Sequence, residues 1–156
     1  VVSPPERYVP TVPTTELHDI ASARLRTTGQ RYTIRRRALV ELLDGAEGPL
    51  TIPQILQLDR GLAQSSAYRN LAVLEQADVV HRIVTNDDFA RYELAEDLTE
   101  HHHHLICRSC GSVADFTLDT AVEGDLDRVL ADVAAAQAFR PDHHRLDLVG
   151  TCADCR

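Results

Sequence analysis

Two Cys-x-x-Cys hooks carry the most pointed chemistry of this 156-residue chain, Cys107-Arg108-Ser109-Cys110 and Cys152-Ala153-Asp154-Cys155. The first stands directly behind a run of four histidines, His101-His102-His103-His104, and two apolar residues. Paired thiolate hooks beside strand-like runs have the ligand type and spacing of a tetrahedral Zn(Cys)4 structural site. A redox Cys-x-x-Cys opens a helix after a strand, whereas Gly111 and more strand-like residues follow Cys110, which argues against thiol exchange. Disulfides need an oxidising compartment. Val1-Val2-Ser3-Pro4-Pro5 lacks a basic-then-apolar leader, and no apolar run has the length of a membrane span. The expectation is a cytoplasmic protein with structural Zn2+ and no membrane partner.

Successive side chains of a strand point to opposite faces, so His102 and His104 face one way while His101 and His103 face the other. One run can thus feed two metal sites. His81 and Glu93, from a preceding β-type pair, are the plausible companions on the first face, where they would bridge two halves of the chain. Glu123 and His144 are the plausible companions on the second. Both sets offer only nitrogen and oxygen, which suits Zn, Fe(II), Mn or Ni better than Cu(I). Each companion has an ordinary alternative. Glu123 stands three residues after Thr120 and could complete a capping box. His81 could be a plain strand residue, Glu93 could be solvated, His143 competes with His144, and Asp142 could orient either histidine.

The elements that must position these ligands divide in two. Counted through Val84 there are 10 Arg against 9 Asp plus Glu, and from Thr85 onward 6 Arg against 15. The net charge of −8 therefore hides a near-neutral half that could meet phosphates and an acidic half that could hold cations. Residues 1–13, with four prolines, read as an extended arm. A first helix, capped by Thr14-Thr15, carries Leu17, Ile20, Ala21 and Leu25 at helical spacing and ends before Gly29. Thr33 caps a second helix with Ile34, Ala38, Leu42 and Leu43 toward the core. Thr51-Ile52-Pro53 opens a short third helix with Ile52, Ile55 and Leu56 inward. After a turn at Arg60-Gly61, Ser65-Ser66 caps a fourth, running through Ala67, Leu71 and Leu74.

Two short helices joined by a glycine-containing turn form the helix-turn-helix pattern, whose second helix enters the major groove. Its outward side would present Ser65, Ser66, Tyr68, Arg69 and Asn70 to phosphates and base edges. The β-type runs 79–84 and 90–94, parted by a polar turn, then form a wing. Residues 95–100 make an acidic connector. Strands at 101–106 and 113–116, a helix with Val122, Leu126, Val129, Leu130 and Val133 on one stripe, and a strand at 145–149 complete a small α/β unit too slight to stand without its metal. The fold class expected is α+β, with an arm at 1–13, a winged-helix DNA-binding domain at 14–95 and a metal-binding dimerisation domain at 96–156.

Thr28-Gly29-Gln30-Arg31-Tyr32-Thr33-Ile34-Arg35-Arg36, Ser66-Ala67-Tyr68-Arg69-Asn70-Leu71 and His101 through Gly111 resemble, in this order, the ferric uptake regulator family. The resemblance implies a homodimeric, metal-dependent bacterial transcription regulator, not an enzyme, that acts on double-stranded operator DNA. By it, Cys107, Cys110, Cys152 and Cys155 hold structural zinc. His81, Glu93, His102 and His104 match the regulatory hinge site, and His101, His103, Glu123 and His144 match an additional site. Tyr68 and Arg69 fall on the recognition helix, and Arg31 lies in the first of the matching segments and joins the candidate DNA contacts. His81 after two apolar residues resembles the zinc uptake branch, whereas Glu93 in Tyr-Glu-Leu resembles the iron branch. Ala95 stands about where zinc sensors often carry cysteine, and Pro49 about where iron sensors often carry histidine. The reading favoured is a zinc-sensing repressor of metal uptake genes, with Fe2+ or Mn2+ as the alternative regulatory metal. A zinc hydrolase is the alternative of another class, but no His-Glu-x-x-His helix or nucleophile elbow accompanies it.

Overall fold

The computed structural model describes residues 13–85, 89–99 and 101–156. All of the expected arm but Pro13 lies outside them, as do three residues of the wing turn. Helix α1 (Thr14–Thr27) buries Leu17, Ala21 and Leu25 at four-residue steps. It stops where Gly29 turns to φ +71° and the Gln30 N–H reaches back 2.8 Å to the Leu25 carbonyl. Thr14 and Thr15 do not cap it; Pro13 holds the cap position, with no side-chain bond. Helix α2 (Ile34–Asp44) is capped by Thr33, whose hydroxyl accepts from the Arg36 N–H. Its core stripe is Leu39, Val40 and Leu43, while Ile34 is 87% exposed. Two apolar stripes one residue apart differ by only about 100° of rotation, and here packing chose the one with Leu39.

Strand β1 (Leu50–Thr51) runs into α3 (Ile52–Leu58), closed by a Thr51/Gln54 capping box. Helix α4 (Gln64–Gln76) begins on the Ala63 backbone, so neither Ser65 nor Ser66 is its cap. It turns Ala67, Leu71 and Leu74 into the core. Strands β2 (Val80–Val84) and β3 (Ala90–Leu94) form the antiparallel wing, with β1 on the far side of β3. Leu17, Leu25, Val40, Ile55, Leu71, Leu74 and Val79 share one continuous core. This is a winged helix-turn-helix.

A 3-10 turn, Glu96–Leu98, leads into the second half, and its Leu98 remains in the first core. Strand β4 (His103–Cys107) is central there, antiparallel to β5 (Val113–Phe116) and parallel to β6 (Asp147–Gly150). Helix α5 (Thr120–Ala136), capped by the Asp119 carboxylate on the Ala121 N–H, carries the chain from one edge of this sheet to the other. The second half has almost no core of its own among the described residues. Helix α5 buries Ala134 alone, and β6 is exposed throughout. The class is α+β, a winged helix followed by a small α/β unit whose interior is furnished by ligands.

Candidate metal centres

The four cysteine sulfurs converge, all within 4.8 Å of one another, with no disulfide among them. Gly111, at φ +71°, lets the first hook close tightly, its N–H 2.8 Å from the Cys107 carbonyl. Strand β6 delivers the second hook beside it, where the Cys152 N–H points at Cys107 Sγ, 3.3 Å away. Amide hydrogen bonds from Cys152, Cys110 and Ser109 bring the Cys107 thiol down to about 6. The Ser112 hydroxyl and amide lower Cys110, while Cys155, facing Cys152 and Cys110, is pushed up to about 12. Four sulfurs so close cannot all ionise without a cation among them. The Cys110–Cys152 separation of 3.7 Å matches the edge of a tetrahedron with Zn–S bonds of about 2.3 Å, roughly 3.8 Å.

A second cluster gathers at the hinge: Glu93 from β3, His104 from β4, His102 just before it and Asp115 from β5, all within 4.8 Å. His102 and His104 aim Nε2 at the same Glu93 oxygen, 3.3 and 3.1 Å away. Asp115 stands across the β4–β5 ladder from His104, with Oδ1 3.9 Å from its Nε2. That Oδ1 is buried without a hydrogen-bond partner, an oxygen left free to meet a cation. Asp147 of β6 takes the other nitrogen of His104 at 3.2 Å. Such an outer carboxylate fixes the ring for ligation through Nε2.

His81 was expected in this set and is not among its donors. It stands opposite Glu93 in the β2–β3 register and lines the same cleft, but its Nε2 is 3.1 Å from Asp78 Oδ1. Asp115 was not expected. Its signal was an acid in an otherwise uncharged strand, which becomes a ligand only once the β4–β5 register is known.

Burial would raise Glu93, but hydrogen bonds from His102 and His104 outweigh it and hold the carboxyl at about 2. For His104, burial would lower the ring's pKa; the Glu93 bond wins and raises it. Asp115 is raised by burial. With no metal in the hinge, the Glu93 contribution to stability is present above its ordinary value of 4.5 and lost as pH falls toward 2. The His104 contribution is present below the ordinary 6.5 and lost as pH rises through its raised folded value. With the cysteine zinc in place and the hinge free of metal, the protein should therefore exceed its Glu93→Gln variant in urea midpoint most clearly between pH 4.5 and 6.5, with the gap narrowing on both sides. A gap independent of pH would refute the pairing.

The third cluster joins His101, His103, Glu123 and His144. The Glu123 oxygens lie 3.0 Å from His101 Nε2 and 3.0 Å from His103 Nε2. His144 Nε2 is also 3.0 Å from Glu123, yet it is buried outside hydrogen-bond direction, as a ligand nitrogen aimed at a shared centre would be. The hydrogen bond from His103 is the largest influence lowering Glu123. Thr120 is not the cap of α5, so the capping-box alternative for Glu123 falls away. His143 lines the hinge cleft instead, and the outer partner of His144 is Asp127 at 3.2 Å rather than Asp142.

On α4, Ser65, Tyr68 and Arg69 are exposed and Ser66 is half-buried, while Arg31, in the loop before α2, is exposed as well. Asn70 does not stand outward. It is 9% exposed, donating to the Ser66 carbonyl and hydroxyl and accepting from Arg36 Nε at 3.2 Å. Position 70 falls one residue short of Leu71, on the inner edge of the helix, and an amide there serves internal donors. Arg36 in turn holds the Arg31 carbonyl and the Gln30 side chain, fixing the α1–α2 loop against the helix that bears Tyr68 and Arg69.

A family model described as the ferric uptake regulator family matches residues 27–149. The peroxide operon regulator of Bacillus subtilis is 30% identical over 135 residues, 84% of this chain and 88% of that protein. The ferric uptake regulation protein of Campylobacter jejuni is 30% identical over 138 residues, 84% of this chain and 83% of that protein. Among solved structures, the ferric uptake regulator of Helicobacter pylori has a TM-score of 0.71 at 23% identity, covering 94% of this chain and 96% of that one. At that identity the likeness is one of fold.

Proposed function

The chain belongs to the ferric uptake regulator family, and from that premise we propose that it is a cytoplasmic, homodimeric, zinc-responsive repressor of metal uptake genes. Members of the family are metal-responsive transcription regulators, which leaves the hydrolase reading without support. One observation carries the proposal: the hinge donors come from both halves, Glu93 from the wing and His102, His104 and Asp115 from the C-terminal unit. These four donors would hold a cation in the hinge, which would supply one positive centre between the two halves.

Glu93 then holds the wing, and with it α4, at a set angle to the C-terminal sheet. In a dimer two α4 helices so held would meet half-sites about one helical turn apart. Tyr68 and Arg69 would reach base edges and phosphates, with Arg31, Ser65 and Ser66 on the backbone beside them. Released from Glu93, the halves sample other angles, and DNA affinity falls with the fraction in the competent pose.

Zinc is favoured because donor separations of 3.1, 3.3 and 3.9 Å bracket the tetrahedral edge of about 3.4 Å for bonds near 2.1 Å. Fe(II) or Mn(II) is the second reading. Two carboxylates and no thiolate make a hard donor set, His81 is engaged elsewhere, and the relatives bear the names of a peroxide and a ferric regulator. The deciding experiment titrates buffered free Zn, Fe(II) and Mn at fixed salt against DNA from the gene's own promoter, keeping the cysteine zinc in place. Activation by zinc alone supports the first reading and activation by Fe(II) or Mn alone the second. No metal-dependent gain in affinity defeats both.

Self-association is supported by the apolar surface of the second half, where Leu105, Val122, Val129, Val133, Leu148 and Val149 are all exposed. A patch of that kind marks an interface. Val133→Asp should convert the dimer to a monomer in light scattering, with zinc retained. An unchanged dimer would place the interface elsewhere.

A further inference from the structure

The 3-10 turn Glu96–Leu98 sends three consecutive side chains to three places. Leu98 is 2% exposed in the N-terminal core. Asp97 pairs with Arg24 of α1, whose guanidinium also donates to the Asp78 carbonyl just beyond α4. Glu96 turns the other way, onto His101 Nδ1. The opposite nitrogen of that ring, Nε2, faces Glu123 at 3.0 Å inside the third cluster. One imidazole thus joins a site in the C-terminal half to a turn anchored in the N-terminal half, without passing through the hinge donors.

We propose that Glu96 is a positioning residue: through His101 it lets a divalent cation in the His101/His103/Glu123/His144 cluster order the connector, and Asp97 with Arg24 passes that order to α1 and the end of α4. The inference deepens the proposed function and rests on this cluster taking a cation. Its chemistry turns on where one proton sits. With a cation on Nε2 the ring's remaining proton is on Nδ1, and Nδ1–H donates to the Glu96 carboxylate. Without it, a neutral ring has a single N–H for two carboxylates, and Glu123 competes with Glu96 for it. The Asp97 carboxylate is 63% exposed, so its ion pair alone holds the turn weakly. Glu96, fixed one residue away, supplies the missing constraint.

The test uses the full-length dimer with its cysteine zinc in place, in a His102→Ala background that silences the hinge cluster. Co(II) is titrated while its visible absorption reports filling of the N/O site and hydrogen exchange reports the connector. Co(II) should slow exchange of the Leu98 and Thr99 amides, which bond the Ala95 and Glu96 carbonyls, by roughly tenfold. Glu96→Ala should still bind Co(II), about tenfold more weakly, yet show no slowing at saturation, and Glu96→Gln should restore part of it. Arg24→Gln should keep the Co(II) affinity but lose the slowing at Asp78 and Val79. If Glu96→Ala shows full slowing at saturation, the relay is wrong while the site stands. If the parent shows no Co(II) absorption, both fail.

Discussion

Cys107→Ser is expected to unfold the C-terminal half and dissolve the dimer. Among the described residues, the half it belongs to buries little besides Cys107, Ala134, His103 and His104, so no hydrophobic core stands in reserve there. Cys107 also receives the Cys152 amide, which draws β6 and the second hook onto β4. A structural zinc site of this type contributes about 10–16 kcal/mol of binding energy that is in effect folding energy, more than the whole stability of most domains. Zinc content should fall by one per chain, strand signal in circular dichroism should drop, and light scattering should report monomer or aggregate. Helical signal from α1 to α4 should persist, because their core is complete without the second half. A zinc-free, well-folded dimer would show that the hooks are not the staple.

His102→Ala should have a large effect of another kind. The dimer should remain folded and keep its cysteine zinc, since His102 belongs to the hinge set and not to the four sulfurs. The gain in DNA affinity on adding the regulatory metal should vanish, a loss of roughly 5- to 150-fold, the usual range for such coupling. Fluorescence anisotropy on operator DNA, with and without metal at fixed salt, gives the answer. Glu93→Ala should behave alike, because it removes the wing's only donor, whereas His102→Ala strips the set of one of its two imidazoles. Full response in both variants would sink the hinge model, whichever metal is sensed.

Much of this design was legible in the residues. Alternation along a strand separated His101 and His103 from His102 and His104, and the two hooks announced their tetrahedron by spacing. Gly29, Thr33 and Thr51 set helix ends because such caps and stops are local physics. What escaped was set by contacts distant in sequence. Asp115 is a hinge donor only because β4 and β5 pair in one register, and His81 left the set because Asp78 lay closer. The core face of α2 depended on what α4 pressed against it, and Asn70 was turned inward by Arg36, which a pattern of exposed polar residues cannot foretell.

Strand β4 and the two residues before it carry candidate ligands for all three clusters: His101 and His103, His102 and His104, then Cys107. Inserting or deleting one residue there would exchange the two histidine faces and carry the hook about 3.3 Å out of place. The segment is therefore closed to changes of length. Each histidine centre draws its carboxylates from elsewhere, Glu93 and Asp115 for one, Glu123 for the other. Divergence toward a new ion can proceed in those partner elements one substitution at a time, while the shared strand stays as a fixed ruler against which each alteration is tried.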